Sequence, residues 1–177
     1  LEHTSKRLDL SNRIDWNYRS TDKTHMPTQG SILSASFALN TPYQEGLSFS
    51  EAKLTAKKYH QFGSLITEST SGINVLSNNA PAFKYYYAGG ASTLRGFNDF
   101  AIGSNYIGDR MIGGRRLYTH SMNVYLPSPY PETIQPFAFF DAASVDDRKI
   151  FSWYNLRASS GIAMTIYTPM APIVLYY

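Results

Sequence analysis

Arg95, in the string Ser92-Thr93-Leu94-Arg95-Gly96-Phe97, and Asp141, in Phe139-Phe140-Asp141-Ala142, are the charged side chains whose neighbours are least suited to charge. A guanidinium drawn out of water needs a carboxylate, and a bidentate partner fixes both its position and its angle. An acid in mid-strand among Phe137, Phe139 and Phe140 is likewise costly without a partner. On the residues alone two accounts stand: a noncovalent Arg95–Asp141 pair, or a solvated loop arginine and a strand-end aspartate. Covalent chemistry finds little support. His3, His25, His60 and His120 lie on separate segments without ligand spacing, so no metal is expected. There is no Cys, no Gly-x-Ser-x-Gly elbow and no phosphate loop. Asp146-Asp147 beside Arg148-Lys149 reads as a solvated turn, and Lys53, Lys57, Lys58, Arg115 and Arg116 as a solvated basic face. No catalytic residue and no cofactor is assigned.

The elements that must position Arg95 and Asp141 follow from composition and period. Charged residues make up 16% of the 177-residue chain, below the ~25% of an average soluble domain. Aromatic residues take their place, with 14 Tyr, 10 Phe and 2 Trp. That composition argues against disorder and against a helical bundle. The net charge of +3 comes from scattered basic residues and does not argue for nucleic acid. Residues 1–7 are polar with no apolar run behind them, as expected of a mature or internal segment. Period-two alternation predicts strands over 13–20, 31–40, 51–62, 64–76, 115–126, 135–145, 156–167 and 173–177. A tight hairpin is expected at Gly63.

Residues 77–114 break the pattern. They hold seven of the twelve glycines (eight with Gly72 just upstream) and alternate nowhere for long. Loops of this length are functional or disordered, and Phe83, Tyr85, Tyr86, Tyr87, Phe97, Phe100 and Tyr106 need something to pack on. The loop is therefore expected to be ordered against the rest of the protein. Gly89, Gly90 and Gly96 read as positions of positive φ or close backbone approach.

Within the strands, one face collects Ser34, Ser36, Thr119, Ser121, Asn123, Ser159, Gly161 and Thr165, and the other Leu, Phe, Met, Tyr and Val. This is the arrangement of a membrane barrel, apolar towards lipid and polar towards a wet lumen. Tyr43, Tyr59, Tyr125, Tyr130 and Tyr167, near strand ends, suggest an interfacial girdle. A soluble β-domain, or a small complete barrel closing 173–177 onto 13–20, fits the pattern as well.

The string from Tyr85 to Phe97 (Tyr-Tyr-Tyr-Ala-Gly-Gly-Ala-Ser-Thr-Leu-Arg-Gly-Phe) closely resembles the inward-folding loop of the BamA-type outer-membrane assembly barrels, with Leu94-Arg95-Gly96-Phe97 as its tip motif. Residues 16–22 with Pro27-Thr28-Gln29-Gly30, the Phe139-Phe140-Asp141 strand, and the strand and turn over 156–172 are similar to further motifs in the same order. The resemblance implies an all-β, antiparallel transmembrane β-barrel. Residues 1–177 would form roughly its later half, about eight strands, with 77–114 as the lumenal loop. It implies Asp141 as the partner of the Arg95 tip, with Gly89 and Gly90 shaping the loop backbone. The implied function is folding and inserting other β-barrel proteins into an outer membrane, Gram-negative or organellar, with no enzymatic step. A secretion or translocation pore of the same superfamily is the alternative. The implied partners are client β-barrel proteins, accessory assembly subunits, POTRA domains outside this sequence, and lipid, with no nucleic acid. Two positions depart from the family pattern: Ala143, where Gly is usual, and Asn123, where a carboxylate is common.

Overall fold

A computed structural model describes residues 9–42, 47–107 and 110–177. His3 and Tyr43 lie outside the described residues, as does the side chain of Tyr106. The strands are β1 (Asp9–Arg19), β2 (Gly30–Pro42), β3 (Phe49–Phe62), β4 (Leu65–Leu76), β5 (Asn105–Ile107), β6 (Arg110–Ile112), β7 (Arg116–Tyr125), β8 (Ile134–Asp146), β9 (Leu156–Tyr167) and β10 (Pro172–Tyr176). Eight of them form one antiparallel sheet in the order β1-β2-β3-β4-β7-β8-β9-β10. Each strand therefore pairs with its sequence neighbour, except where β4 meets β7 across the long loop. Gly63 and Ser64 join β3 to β4. Since β1 and β10 occupy opposite edges, the sheet is open and the small closed barrel is not formed. The pair β5–β6 and a 3-10 turn at Ala82–Lys84 stand inside the loop. Alternation missed these because three-residue strands are shorter than any window that carries a period.

Register sorts the side chains by chemistry. Lys57, Thr70, Ser121, Asp141 and Ser159 lie in one row across five strands, and directly opposed residues share a face. The same face carries Asp15, Lys53 and Glu68, with Lys57 paired to Glu68 at 3.0 Å and Lys53 to Glu51 at 2.9 Å. The other face exposes Ile14, Trp16, Phe37, Leu39, Leu54, Phe140 and Ile162. A dry-cored sandwich would have buried those apolar side chains against a second sheet. Instead the main buried cluster (Ala88, Leu94, Leu117, Ala143 and Val145) lies between the long loop and the polar face. The described wall thus has an exposed apolar side and a polar side on which its own loop packs.

The girdle expectation needs correction. Tyr59, Tyr125 and Tyr167 line the polar side together with Glu68, and the Tyr125 hydroxyl donates to Glu68 Oε2 at 3.3 Å. Parity is the reason: each stands two residues beyond a polar-face residue (Lys57, Asn123 and Thr165) and shares its face. Tyr130, in the turn before β8, is exposed. The apolar side carries other aromatics, among them Trp16 stacked on Tyr18, and Tyr118, whose ring packs edge-to-face on Phe151.

Candidate functional site

The loop reaches the polar face by backbone pairing as well as side chains. Tyr86 pairs with Gly114 and Ala88 with Ile102, which brings the two arms of the loop together and projects residues 89–97 as a tip. The tip is a tight turn in which the Gly90 N–H donates to Phe97 O at 2.9 Å and the Leu94 N–H to Gly90 O at 3.0 Å. The Thr93 hydroxyl bonds both the N–H and the carbonyl of Gly89, at 2.9 and 2.7 Å. Gly89 and Gly90 adopt φ of 123° and 78°, and a Cβ on Gly89 would stand 2.2 Å from the Asn98 carbonyl oxygen. Only glycine satisfies both demands. Gly96, at φ 83°, turns the chain after Arg95. Leu94 is fully buried and Phe97 packs at the edge of the same cluster, so the apolar members of the tip hold it on the wall.

The turn presents Arg95 to β8. Its Nε donates to Asp141 Oδ2 at 2.7 Å, its Nη2 to Asp141 Oδ1 at 2.7 Å, and its own backbone N–H to Oδ2 at 3.1 Å. Side chain and main chain of one residue therefore grip both oxygens of one carboxylate, which fixes the tip in rotation as well as in distance. Nη2 also reaches Asn123 Oδ1 at 2.8 Å and Ser121 Oγ at 3.0 Å, and the Ser121 hydroxyl donates to Asp141 at 2.7 Å. Arg95 is 8% exposed and Asp141 2%. Of the two accounts open on the residues, the structure therefore has the pair. The uninterrupted pairing of β8 with both neighbours puts Phe137, Phe139 and Asp141 on one face with no bulge between them. The guanidinium uses that face: its central carbon lies 4.0 Å from the centre of the Phe139 ring and 5.7 Å from that of Phe137.

Further ties hold the loop away from its tip. The Tyr86 hydroxyl donates to Glu51 Oε1 at 2.7 Å, and burial followed by that carboxylate raises its pKa above the usual phenol range. At the base, Arg115 pairs with Asp147 at 2.9 Å and donates to Asn78, so Asp147 is not the solvated turn residue expected, nor is Arg115 part of a free basic face. Sequence reasoning missed Ser121 as part of the site, and it expected Tyr86 to pack on the wall without naming Glu51 as its acceptor. Asn123, noted only as a departure, supplies a neutral acceptor where an acid was awaited. Phe139 shares the strand parity of Asp141 and was legible on that ground; the Tyr86–Glu51 bond spans 35 residues and left no local signal of its acceptor.

His60 packs on Phe62, while His120 Nδ1 lies 2.9 Å from Ser71 Oγ, so the structure does not bring these histidines together. Among the described residues no group of three or more His, Asp or Glu could hold a metal ion.

A family model described as the Omp85 superfamily domain matches residues 1–177. Among curated proteins, the outer membrane protein assembly factor BamA of Nitratidesulfovibrio vulgaris is 26% identical over 186 aligned residues, covering 99% of this chain and 23% of the relative. Among solved structures, the chain is similar to the crystal structure of BamA from Haemophilus ducreyi lacking POTRA domains 1–3, with a TM-score of 0.81 and 24% identity. That likeness covers 96% of this chain and 38% of the other, and it establishes the fold as part of a barrel wall. The chain spans about a quarter of the curated relative's length.

Proposed function

Because this chain belongs to the Omp85 superfamily, we propose that it forms part of the barrel of an outer-membrane assembly factor. That factor folds other β-barrel proteins and inserts them into the outer membrane of a Gram-negative bacterium. The observation that carries this reading is the alignment of nearly the whole chain with a protein named as such a factor. The relatives do not favour the secretion-pore alternative. No covalent step belongs to the activity. In lipid every unsatisfied backbone N–H and C=O costs several kcal/mol, about as much as it would in any apolar medium. An open or thinly closed sheet edge offers a client strand those partners while it enters the bilayer. The wall must then stay rigid while its edge exchanges partners, and the loop over residues 77–114 supplies a brace from the lumenal side. Clients, accessory subunits and POTRA domains elsewhere in the protein are the partners, and lipid covers the apolar face.

The test uses the full-length protein. In proteoliposomes, Arg95→Ala is expected to slow insertion of a β-barrel client and to release the loop from β8, read by loss of a disulfide engineered between tip and wall. Insertion at the wild-type rate with the loop demonstrably released would reject the bracing role. A soluble client crossing the membrane, with no barrel client entering it, would reject the assembly reading itself.

A further inference from the structure

The connection between β8 and β9, residues 147–155, curls back onto the apolar face of the wall. Ser144 and Tyr118 belong to that face, since each stands an odd number of positions from Asp141 or Ser121 on the polar one. The Ser144 hydroxyl donates to the Ser152 carbonyl at 3.2 Å and accepts from the Ser152 N–H at 3.3 Å, and Ser144 is fully buried. Phe151 packs edge-to-face on Tyr118 and on Trp153, with ring centres 5.2 and 4.9 Å apart. The Asn155 and Leu156 N–H groups close the turn by donating to the Ser152 and Trp153 carbonyls. The connection is thus held in place, yet Trp153 is 79% exposed and Tyr154 90%. A fixed turn that presents a Trp and a Tyr beside an apolar wall has the form of an interfacial anchor.

Positive charge gathers above these rings. Asp146 Oδ1 accepts from the Arg148 and Lys149 backbone N–H groups at 2.7 and 2.8 Å, which sets residues 148 and 149 level with the end of β8. Ser152 is level with Ser144, two residues or about 7 Å nearer the middle of the wall. The Arg148 and Lys149 side chains are exposed and make no hydrogen bond or ion pair among the described residues. Arg116 stands opposite Asp146 on the apolar face without an ion pair. The carboxylates of this corner are committed elsewhere: Asp146 also accepts from the Asn155 side chain at 2.9 Å, and Asp147 is paired with Arg115. Arg157 adds a further cation, its Nη1 donating to the Tyr154 and Leu156 carbonyls at 3.3 and 3.0 Å. Five basic side chains therefore stand against two carboxylates here. The corner lies at the same end of the sheet as residues 77–114, the end that faces outward in an outer-membrane barrel with its longer connections.

We propose that residues 148–154, together with Arg116, bind an anionic phosphorylated lipid of the outward-facing leaflet. Arg148, Lys149 and Arg116 meet its phosphate groups, while Trp153 and Tyr154 lie against the upper part of its acyl chains. A water-soluble anion would use the cations and leave the rings in water. A lipid without net charge would cover the rings and leave the cations unpaired. Only a lipid with excess negative phosphate answers both halves of the site. The inference goes beyond the assembly reading and rests only on this wall lying in a membrane, whatever clients the protein handles.

The test uses the full-length protein in nanodiscs of phosphatidylcholine mixed with diphosphoryl lipid A, with benzoylphenylalanine in place of Tyr154. After correction for composition, photo-adducts with lipid A are expected to exceed those with phosphatidylcholine at least about fivefold. Monophosphoryl lipid A is expected to fall between the two. Arg148→Gln/Lys149→Gln is expected to bring the lipid A preference down to about twofold or less while adducts with phosphatidylcholine persist, because the rings still hold the turn in the bilayer. Trp153→Ser is expected to lower the adducts with both lipids. Retention of the heat-modifiable gel shift shows that each variant is a folded barrel. Absence of any lipid adduct at position 154, or equal adducts with the two lipids, overturns the proposal. So does a preference unmoved by the double substitution, or adducts undiminished in Trp153→Ser.

Discussion

The Arg95 guanidinium carbon lies 4.0 Å from the centre of the Phe139 ring, on the same strand face that supplies Asp141. The aromatic is thus a platform for the charge, and the carboxylate two residues away sets its direction. A lysine at position 95 could reach one of the two but would lose the planar, two-point contact with both Asp141 oxygens.

Phe139→Leu keeps an apolar side chain beneath Arg95 but removes the ring. It is expected to cost about 0.5–2 kcal/mol, while Asp141→Asn, which leaves a buried guanidinium without its countercharge, costs about 3–5 kcal/mol. Urea titration of tip protection, read by hydrogen exchange of the Leu94 and Arg95 amides, ranks the two. Unchanged tip protection in Phe139→Leu would show that the ring is mere filler.

The tip glycines separate two demands that usually coincide. Gly96 has a positive φ but open space, its added Cβ meeting Ser159 only at 3.8 Å, so Gly96→Ala carries the left-handed cost alone, about 1–2 kcal/mol. Gly89→Ala adds a collision with backbone, at 2.2 Å from the Asn98 carbonyl oxygen, which no rotamer change relieves. Limited proteolysis of the loop is expected to rise modestly in the first variant and steeply in the second.

Tyr86→Phe tests the second attachment. It removes a hydrogen bond to a charged acceptor, worth about 1.5–3 kcal/mol, yet leaves Glu51 with Lys53 at 2.9 Å. Hydrogen exchange near Tyr86 is expected to quicken while the Arg95 amide keeps its protection. Loss of protection at both places would mean that the loop detaches as one unit.

The β1–β2 connection carries a pH dependence of definite sign. The Asp22 carboxylate accepts from the Thr28 hydroxyl at 2.7 Å and from the Gln29 and Thr28 amides. The Thr28 hydroxyl first, then the Gln29 amide, pull its pKa from the ordinary 3.8 to about 2. A depressed folded-state value means that the stabilisation is complete above 3.8 and fades as pH falls through about 2. Pepsin cleavage within residues 21–29 is therefore expected to rise between pH 3.5 and pH 1.5, the window about those two values. Asp22→Asn, which has no charge to lose, should show no such step.

Much of the wall was legible before any coordinates. Alternation placed eight strands within a few residues of where they lie, because a strand's two faces are written into neighbouring positions of the chain. It also separated Ser34, Ser121 and Thr165 from Leu33, Met122 and Ile162 onto the correct faces. The tip was legible for another reason: its glycines mark backbone geometry that few other residues can adopt. The tyrosines were misread because proximity to a strand end says nothing of which side a ring takes, whereas their parity with Lys57, Asn123 and Thr165 did.

The one-dimensional order of residues thus determined what is local: period, face, turn chemistry and the need of Arg95 for a countercharge. Only the tertiary structure decided which groups answer that need. Ser121, Asn123 and Asp141 become neighbours through the register of β7 on β8, and Arg95 reaches them because a loop of nearly forty residues folds back onto that pair. Register and loop direction are set by the summed pairing and burial of whole strands, so no short stretch of sequence contains them.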